Sequence, residues 1–396
     1  MRAFHLLQAT PFVPCQPMDG LLPYQNSRSG RKEHELRKIL SVLLLCAAIV
    51  PGIATAQSLL VDGTRFVWNR FPGNPVFPAA TGTWRESQTA NPDLLLNAGT
   101  YYMYVRGQRG GHDRIGVATI PKEKFDGVTW NINPEPIIDV GGPGSWDERH
   151  ALDPAAILFH GKVFLYYTGS SPRADRAICL AVSEDGVHFR KYENNPVIIG
   201  GGPEVVFRDS SFYLYFWKPV PDKKGFQIHY ATSRDGYHYT EPAQSLALPV
   251  GRDGSWDSFT VETQRIFMEG GLYYMIYCGS DRNKDYPFHA GVATSADLIH
   301  WTKFPGNPVF SRGEQGEWDE GAIWFTTVEK INGRYYMWYE GYGGGTARTE
   351  PYGSYLKGGK SQVGMATMEA PYFYVRPDSA GAGGSEPGRP GKKPVH

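Results

Sequence analysis

The sequence predicts an all-β protein, a five-bladed β-propeller of four-stranded antiparallel blades, closed by an N-terminal strand that completes the last blade. Three observations carry that expectation: the composition, a repeat that recurs five times, and a strand absent from one end of the repeat array and present at the other. The 396 residues include 47 Gly and 30 Pro beside 24 Tyr, 20 Phe and 10 Trp. Gly and Pro interrupt helices and aromatic side chains favour strands, so many short strands joined by tight turns follow.

The repeat is gapless in four copies. Trp84, Trp146, Trp256 and Trp318 each open a segment that ends, after the same interval, in Gly107, Gly169, Gly279 and Gly341. A second glycine also keeps its place (Gly99, Gly161, Gly271, Gly333), followed by runs such as Thr100-Tyr-Tyr-Met-Tyr104 and Arg334-Tyr-Tyr-Met-Trp338. A fifth copy lacks the Trp and runs from Pro203 to Phe216. Each copy continues into a small-residue strand (Gly116-Val-Ala-Thr119, Gly291-Val-Ala-Thr294) and a turn at Asp126, Asp185, Asp235 or Asp297. Asp-Gly between apolar runs marks a hairpin, because both central residues tolerate positive φ. An outer strand ending in Asn195-Pro-Val-Ile198 or Asn307-Pro-Val-Phe310 closes the unit. The last copy lacks that strand, whereas Trp68-Asn-Arg-Phe-Pro-Gly-Asn-Pro-Val-Phe77 repeats Trp301-Thr-Lys-Phe-Pro-Gly-Asn-Pro-Val-Phe310. An N-terminal strand completing the last blade would leave no long free edge. The propeller is expected over residues 57–377.

Residues 1–56 read as a signal-peptide region: Arg31, Lys32, Arg37 and Lys38 precede the apolar run Ile39–Val50, and Ala54-Thr-Ala56 offers a cleavage site before Gln57. Residues 1–30 are unusual for such a leader, and a start at Met18 would shorten it. A periplasmic or secreted protein is expected, with no membrane association after cleavage and a monomeric state. Residues 378–396 read as a disordered tail. Forty basic and forty acidic residues balance to zero, which argues against a nucleic-acid partner held by counterion release. Four cysteines, two of them in the leader, are too few for a disulfide scaffold.

In a propeller the innermost strands converge on the axis, so side chains near their starts share one mouth. Each inner strand should begin about seven residues after the repeat Trp, which selects Asn91-Pro-Asp93, Asp153-Pro154, Gly202-Pro-Glu204, Glu262-Thr263 and Trp324-Phe325. Burying an unpaired carboxylate is unfavourable, and converging carboxylates raise one another's pKa, as an acid–base pair requires. Asp93, Asp153, Glu204 and Glu262 are therefore the candidate catalytic residues. His150, Trp217, Arg265, Trp324 and Tyr342 are candidate substrate contacts. Asp147, Asp257 and Asp319 recur after the repeat Trp with one role and are read as architecture, like the turn aspartates. No Gly-x-Ser-x-Gly, His-Glu-x-x-His or Cys-x-x-Cys is present, and Gly358-Gly-Lys-Ser361 lacks the first glycine of a phosphate loop.

The Asn-Pro-Val, acid-Pro and Gly-x-Tyr-Tyr layout resembles the five-bladed glycoside hydrolases of families 43, 32, 68, 117 and 130, relatives of arabinanases, invertases and levansucrases. The resemblance covers about residues 60 to 370 and lies mostly in the repeat architecture. It implies hydrolysis of a glycosidic bond in an oligo- or polysaccharide, with an arabinofuranosidase-like activity as one instance. By position it assigns Asp93 as base or nucleophile, Asp153 as stabiliser and Glu204 as general acid, with Glu262 as its substitute. The sequence departs from the pattern at Asn91 and at Gly201 and Gly202, where the first and third family acids would fall. A non-catalytic carbohydrate-binding propeller is one alternative. A glycoside phosphorylase is the other, with Arg149, His150, Lys218 and Arg265 as phosphate contacts. No cofactor is required. Relatives sometimes hold a structural cation, calcium or another, in the channel, where His112, His150 or His289 could serve.

Overall fold

The computed structural model describes residues 66–221, 225–282, 285–345, 348–349, 353–356 and 358–369; the expected leader and tail lie outside them. Five antiparallel sheets follow one another along the chain, and their innermost strands neighbour each other in the order 1-2-3-4-5-1. Those innermost strands are Gln88–Asn97, His150–Phe159, Gly201–Arg208, Thr260–Glu269 and Ala322–Ile331. The expected five-bladed propeller is the fold observed.

The repeat residues explain their own spacing. The Trp84 indole lies flat against Gly107 and Gly116, where an added Cβ would fall 2.3 and 2.1 Å from the ring. Trp318 occupies Gly341 and Gly364 in the same way, at 2.5 and 2.4 Å. Trp84, Trp256 and Trp318 thus lie against glycine on the second and third strands of their blades, whereas blade 2 carries Cys179 at the third-strand position. The aspartate after it clips the blade from inside. Asp147 accepts from the Tyr167 hydroxyl (2.9 Å) and Lys191 (2.5 Å), and Asp257 accepts from Tyr277 (3.1 Å) and Lys303 (2.6 Å). In blade 5 Asp319 accepts from Tyr339 (2.9 Å) and from Arg70 (2.9 Å) of the N-terminal strand. The turn aspartates accept from two successive backbone N–H groups, as Asp185 does from Val187 and His188, both at 2.8 Å.

Closure follows the predicted route. Asn69 and Arg70 pair with Thr367 and Ala366 as the fourth strand of blade 5. The outer strands are short, and in blades 2, 4 and 5 an Asn-Pro turn interrupts them. The Asn side chain then takes over the pairing: Asn74 donates to Met365 O (2.9 Å) and accepts from its N–H (2.8 Å). Asn195 does the same with Leu180 and Asn307 with Val292. Arg70→Ala is expected to lower stability by about 2 kcal/mol, since it strips the charged partner from a fully buried carboxylate. Thermal unfolding of the variant beside the parent protein checks this.

Candidate active site

A five-fold irregularity decides where the axial side chains go. Every innermost strand slips register against its neighbour at one place: Ala90/Asp93, Leu152/Ala155, Gly201/Glu204, Glu262/Arg265 and Trp324/Thr327. At each slip one residue adopts positive φ: Asn91 (49°), Asp153 (54°), Gly202 (58°), Thr263 (53°) and Phe325 (46°). Such a bulge breaks the strict alternation of a strand, so residues before and after it face different parts of the channel.

Residues at and before the bulge line one mouth. There Asp153, Glu262, Asn91, Trp217, Trp324, Tyr342, Arg106, Arg176, Asp285 and Glu340 surround a cavity of about 310 Å³. Glu262 is 1% exposed, and its Oε1 has no hydrogen-bond partner. Burial pushes its pKa well above the usual carboxylate range; the charges of Asp285 and Asp153 push the same way, against Arg176. Asp153 is raised by burial too, but Arg176, Arg106 and the Thr168 hydroxyl hold it back. Burial carries Glu340 up to about 7 despite Arg106. Both its oxygens are engaged, by Asn91 Nδ2 (2.8 Å) and Arg106 Nη2 (3.2 Å), so Glu340 holds the wall together. Asn91 Oδ1, Trp217 Nε1 and Arg176 Nε are buried around the same cavity without partners.

Past the bulge the channel is plugged by Arg265. Its Nη2 donates to Pro154 O (2.8 Å), its Nη1 to Pro203 O (3.0 Å) and its Nε to Thr327 Oγ1 (3.2 Å), while Thr327 in turn donates to Pro92 O (2.8 Å). One guanidinium therefore ties together blades 2, 3, 4 and 5, with blade 1 joined through Thr327. Asp93 lies 3.6 Å and Glu204 3.4 Å from it. Each of these acids also staples its blade to the next: Asp93 accepts from Ala156 N (2.7 Å) and Glu204 from Ile266 N (2.9 Å). Burial raises both, Glu204 to about 8.

The four candidate acids thus separate into two pairs. Asp153 and Glu262 meet in the mouth cavity. Asp93 and Glu204 border a second cavity of about 390 Å³, with Arg265, Glu269 and Lys330, toward the strands' far ends. Asp93 stands two residues after Asn91, where strict strand alternation would put both on one face, but the bulge breaks that alternation and Asp93 borders the second cavity instead. Of the candidate contacts, Trp217, Trp324 and Tyr342 line the mouth. Arg265 does not; it is the plug. His150 lies outside the lining and pairs with Asp113 at 2.9 Å. Lys218 is engaged by Glu241 at 2.5 Å, and Arg149 is exposed outside the cavity. The three histidines considered for a cation have polar neighbours of their own: His112 at Arg149 O (2.9 Å), His150 at Asp113, and His289 at Ser311 Oγ (2.8 Å). Among the described residues no group of three or more His, Cys, Asp or Glu is placed to hold a metal ion.

Arg106, Arg176, Asp285 and Glu340 were not among the sequence candidates. Arg106 and Glu340 stand directly before the repeat glycines Gly107 and Gly341, where Thr168, Trp217 and Cys278 stand in the other blades, and each pairs with the residue preceding a bulge. A position that changes chemistry from blade to blade inside a fixed repeat was the available signal. The blade 3 departure also finds its reason: a Cβ on Gly201 or Gly202 would fall 2.5 Å from the Trp217 ring, so glycine there admits the indole.

A family model described as beta-1,4-mannooligosaccharide phosphorylase matches residues 194–341, under half of the chain. Among curated proteins no significant match exists. Among solved structures, a thermostable family-43 glycoside hydrolase is 16% identical with a TM-score of 0.57, covering 78% of this chain and 98% of its own. A family-130 structure, from a set described as mannoside phosphorylases that contain glycoside hydrolases targeting beta-1,2 mannosidic linkages in Candida mannan, is 18% identical with a TM-score of 0.58, covering 78% and 96%. An N-acetylgalactosamine deacetylase from F. plautii, in complex with blood group B trisaccharide, is 16% identical with a TM-score of 0.56, covering 76% and 95%. One fold serves several chemistries, so these likenesses speak for architecture and not for activity. The chain has the five-bladed propeller fold of the family 43 and family 130 glycoside hydrolases.

Proposed function

We propose that the protein cleaves glycosidic bonds at the mouth cavity by hydrolysis, with β-mannosides as the first substrates to test. The observation that carries this reading is Glu262, a fully buried carboxyl group with an unpaired oxygen on the wall of a polar cavity. A carboxyl group kept protonated by its surroundings can donate a proton to a leaving oxygen. Asp153 lines the same cavity; burial raises it too, but Arg176 and Arg106 hold it back, whereas Glu262 is pushed well above the usual carboxylate range. In the reaction the bond from the anomeric carbon to the leaving oxygen breaks as Glu262 protonates that oxygen. Water attacks the anomeric carbon, and Asp153 accepts the proton the water gives up. Asn91, Trp217 and Arg176 offer unpaired polar atoms for sugar hydroxyls. The mannoside suggestion rests on the descriptions of the family model and of the family-130 structure.

Asp153→Asn is expected to lower release of reducing sugar by at least about 10²-fold while leaving the circular dichroism spectrum unchanged. Asn accepts the positive φ of this position, so the bulge survives the change. Full activity in a folded variant would remove Asp153 from the mechanism.

Phosphorolysis is the second reading, favoured by the family model's description and by the unpaired Nε of Arg176 at the cavity. Turnover in phosphate-free buffer supports hydrolysis. Sugar 1-phosphate formed only when phosphate is added supports phosphorolysis, and tight binding without turnover supports a carbohydrate-binding module. Export belongs to the same proposal and rests on the Arg31–Ala56 pattern; a mature N-terminus at Gln57 would support it.

A further inference from the structure

The innermost strands run from the mouth to the opposite face of the propeller, where their ends share one character. The last residue but one of each is Leu96, Leu158, Phe207, Met268 and Lys330. These positions are equivalent, because each pairs with the second residue of the next strand: Tyr101, Val163, Phe212, Tyr273 and Tyr335. Four of the five are large, apolar and exposed, Leu96 at 40%, Leu158 at 41%, Phe207 at 39% and Met268 at 64%. Single exposed apolar residues are ordinary. Four at one position, on strands that neighbour one another around the axis, make a patch, and such a patch marks a surface that something covers. Met268 and Lys330 also line the second cavity, which reaches in to Asp93, Glu204 and Arg265.

The chain itself supplies an occupant. The strand Lys360–Glu369 pairs Glu369 with Arg334, and Arg334 pairs with Ile331, the neighbour of Lys330. An ion pair between Arg334 and Glu369 fixes that corner. Two strand spacings, about 10 Å, therefore separate Glu369 from the innermost strand of blade 5, on the face that carries the patch. Beyond it the sequence reads Ala370-Pro-Tyr-Phe-Tyr-Val-Arg-Pro377, outside the described residues, and after Val375 only Val395 is large and apolar. A polar tail gains nothing from Tyr372-Phe-Tyr-Val375 unless those side chains find apolar surface. Six residues past Glu369 reach up to about 20 Å when extended, enough to cross from blade 5 to the innermost strands on either side of it. We propose that Tyr372–Val375 docks on the apolar patch opposite the mouth, across Met268 and Leu96. The chain's own C-terminal segment then covers the second cavity and leaves the mouth as the open end of the channel. The proposal concerns the other face of the propeller and stands apart from the hydrolase reading.

Met268 provides the readout, because sulfoxidation of a methionine follows its exposure. In the full-length protein under dilute hydrogen peroxide, Met268 sulfoxide is followed by peptide mass spectrometry. It should form about tenfold faster in Tyr372→Ser/Phe373→Ser/Tyr374→Ser than in the parent protein. The replaced residues lie beyond the last blade strand, so the blades should fold, which circular dichroism checks. The reverse experiment alters the patch. Met268→Glu combined with Leu96→Glu should speed chymotrypsin cleavage within residues 372–374 by about tenfold, since a protease cuts the released segment. Equal oxidation rates in the parent and the triple variant, or equal cleavage rates in the parent and the double variant, overturn the proposal. Protection of Met268 that fades on dilution also overturns it, because a second copy of the chain would then be what covers the patch.

Discussion

Glu262→Gln is expected to lower kcat for unactivated β-glycosides by about 10³-fold, the middle of the range for loss of a general acid. The amide keeps the size of the side chain but has no proton of suitable acidity. The loss should depend on the leaving group. A dinitrophenyl glycoside departs as a stable anion without needing a proton, and its rate should fall by roughly tenfold or less. The pH profile provides a second readout. Activity requires Asp153 without its proton and Glu262 with its own, so the rate rises with pH as Asp153 ionises and falls as Glu262 does. Burial and the Asp285 and Asp153 charges place the second step well above the ordinary glutamate range. Glu262→Gln should remove the alkaline limb and leave the acidic one. Equal losses for both leaving groups would show that Glu262 is not the acid.

Arg265→Met should be the most destabilising single change in the channel, by about 3–5 kcal/mol, because it leaves Asp93 and Glu204 buried without the guanidinium that faces them. For a propeller of this size, unfolding should move down by roughly 10 °C. Three backbone or hydroxyl acceptors from blades 2, 3 and 5 would also lose their donor. Arg265→Lys should recover only part of the loss, since an ammonium group cannot reproduce the planar fork. Combining Arg265→Met with Glu204→Gln should be milder than Arg265→Met alone, because Gln can still accept from Ile266 N and, of the two acids beside the lost guanidinium, Asp93 alone is left. The pH dependence follows from the same acid. Glu204 is raised from 4.5 to about 8 in the folded protein, so the folded state holds a proton that the unfolded chain releases. Its contribution is fully present below about 4.5 and is lost as pH rises toward about 8. Denaturant melts across that window test the sign. Stability of Arg265→Met equal to that of the parent protein would show that the guanidinium does not hold the blades.

Most of the architecture was legible because it is written in local constraints. A Trp that lies against glycine, an aspartate that must reach a tyrosine and a cation, and an Asn-Pro turn that pairs through its side chain all impose fixed spacings within one blade. The same logic exposed the closure, since Trp68–Phe77 carries the pattern that the last blade lacks. The role of Asp147, Asp257 and Asp319 as architecture was readable for the same reason: identical residues at identical positions do identical work.

The site was less legible because it is built between blades. Asp93 and Asp153 sit in the same short motif, yet one is two residues past its positive-φ position and the other occupies it. That offset sends Asp93 to the plug and Asp153 to the mouth. Glu340 joins the cavity through Asn91, 249 residues earlier in the chain, a distance over which no spacing rule operates. By itself, then, the sequence determined the number of blades, their closure and the set of unusual axial residues, because the blades repeat a local pattern and closure shows as a piece of that pattern moved to the other end of the array. Only the tertiary structure decided which acids face one another, because the bulge turns the axial residues and the ring of blades brings them together from distant parts of the chain.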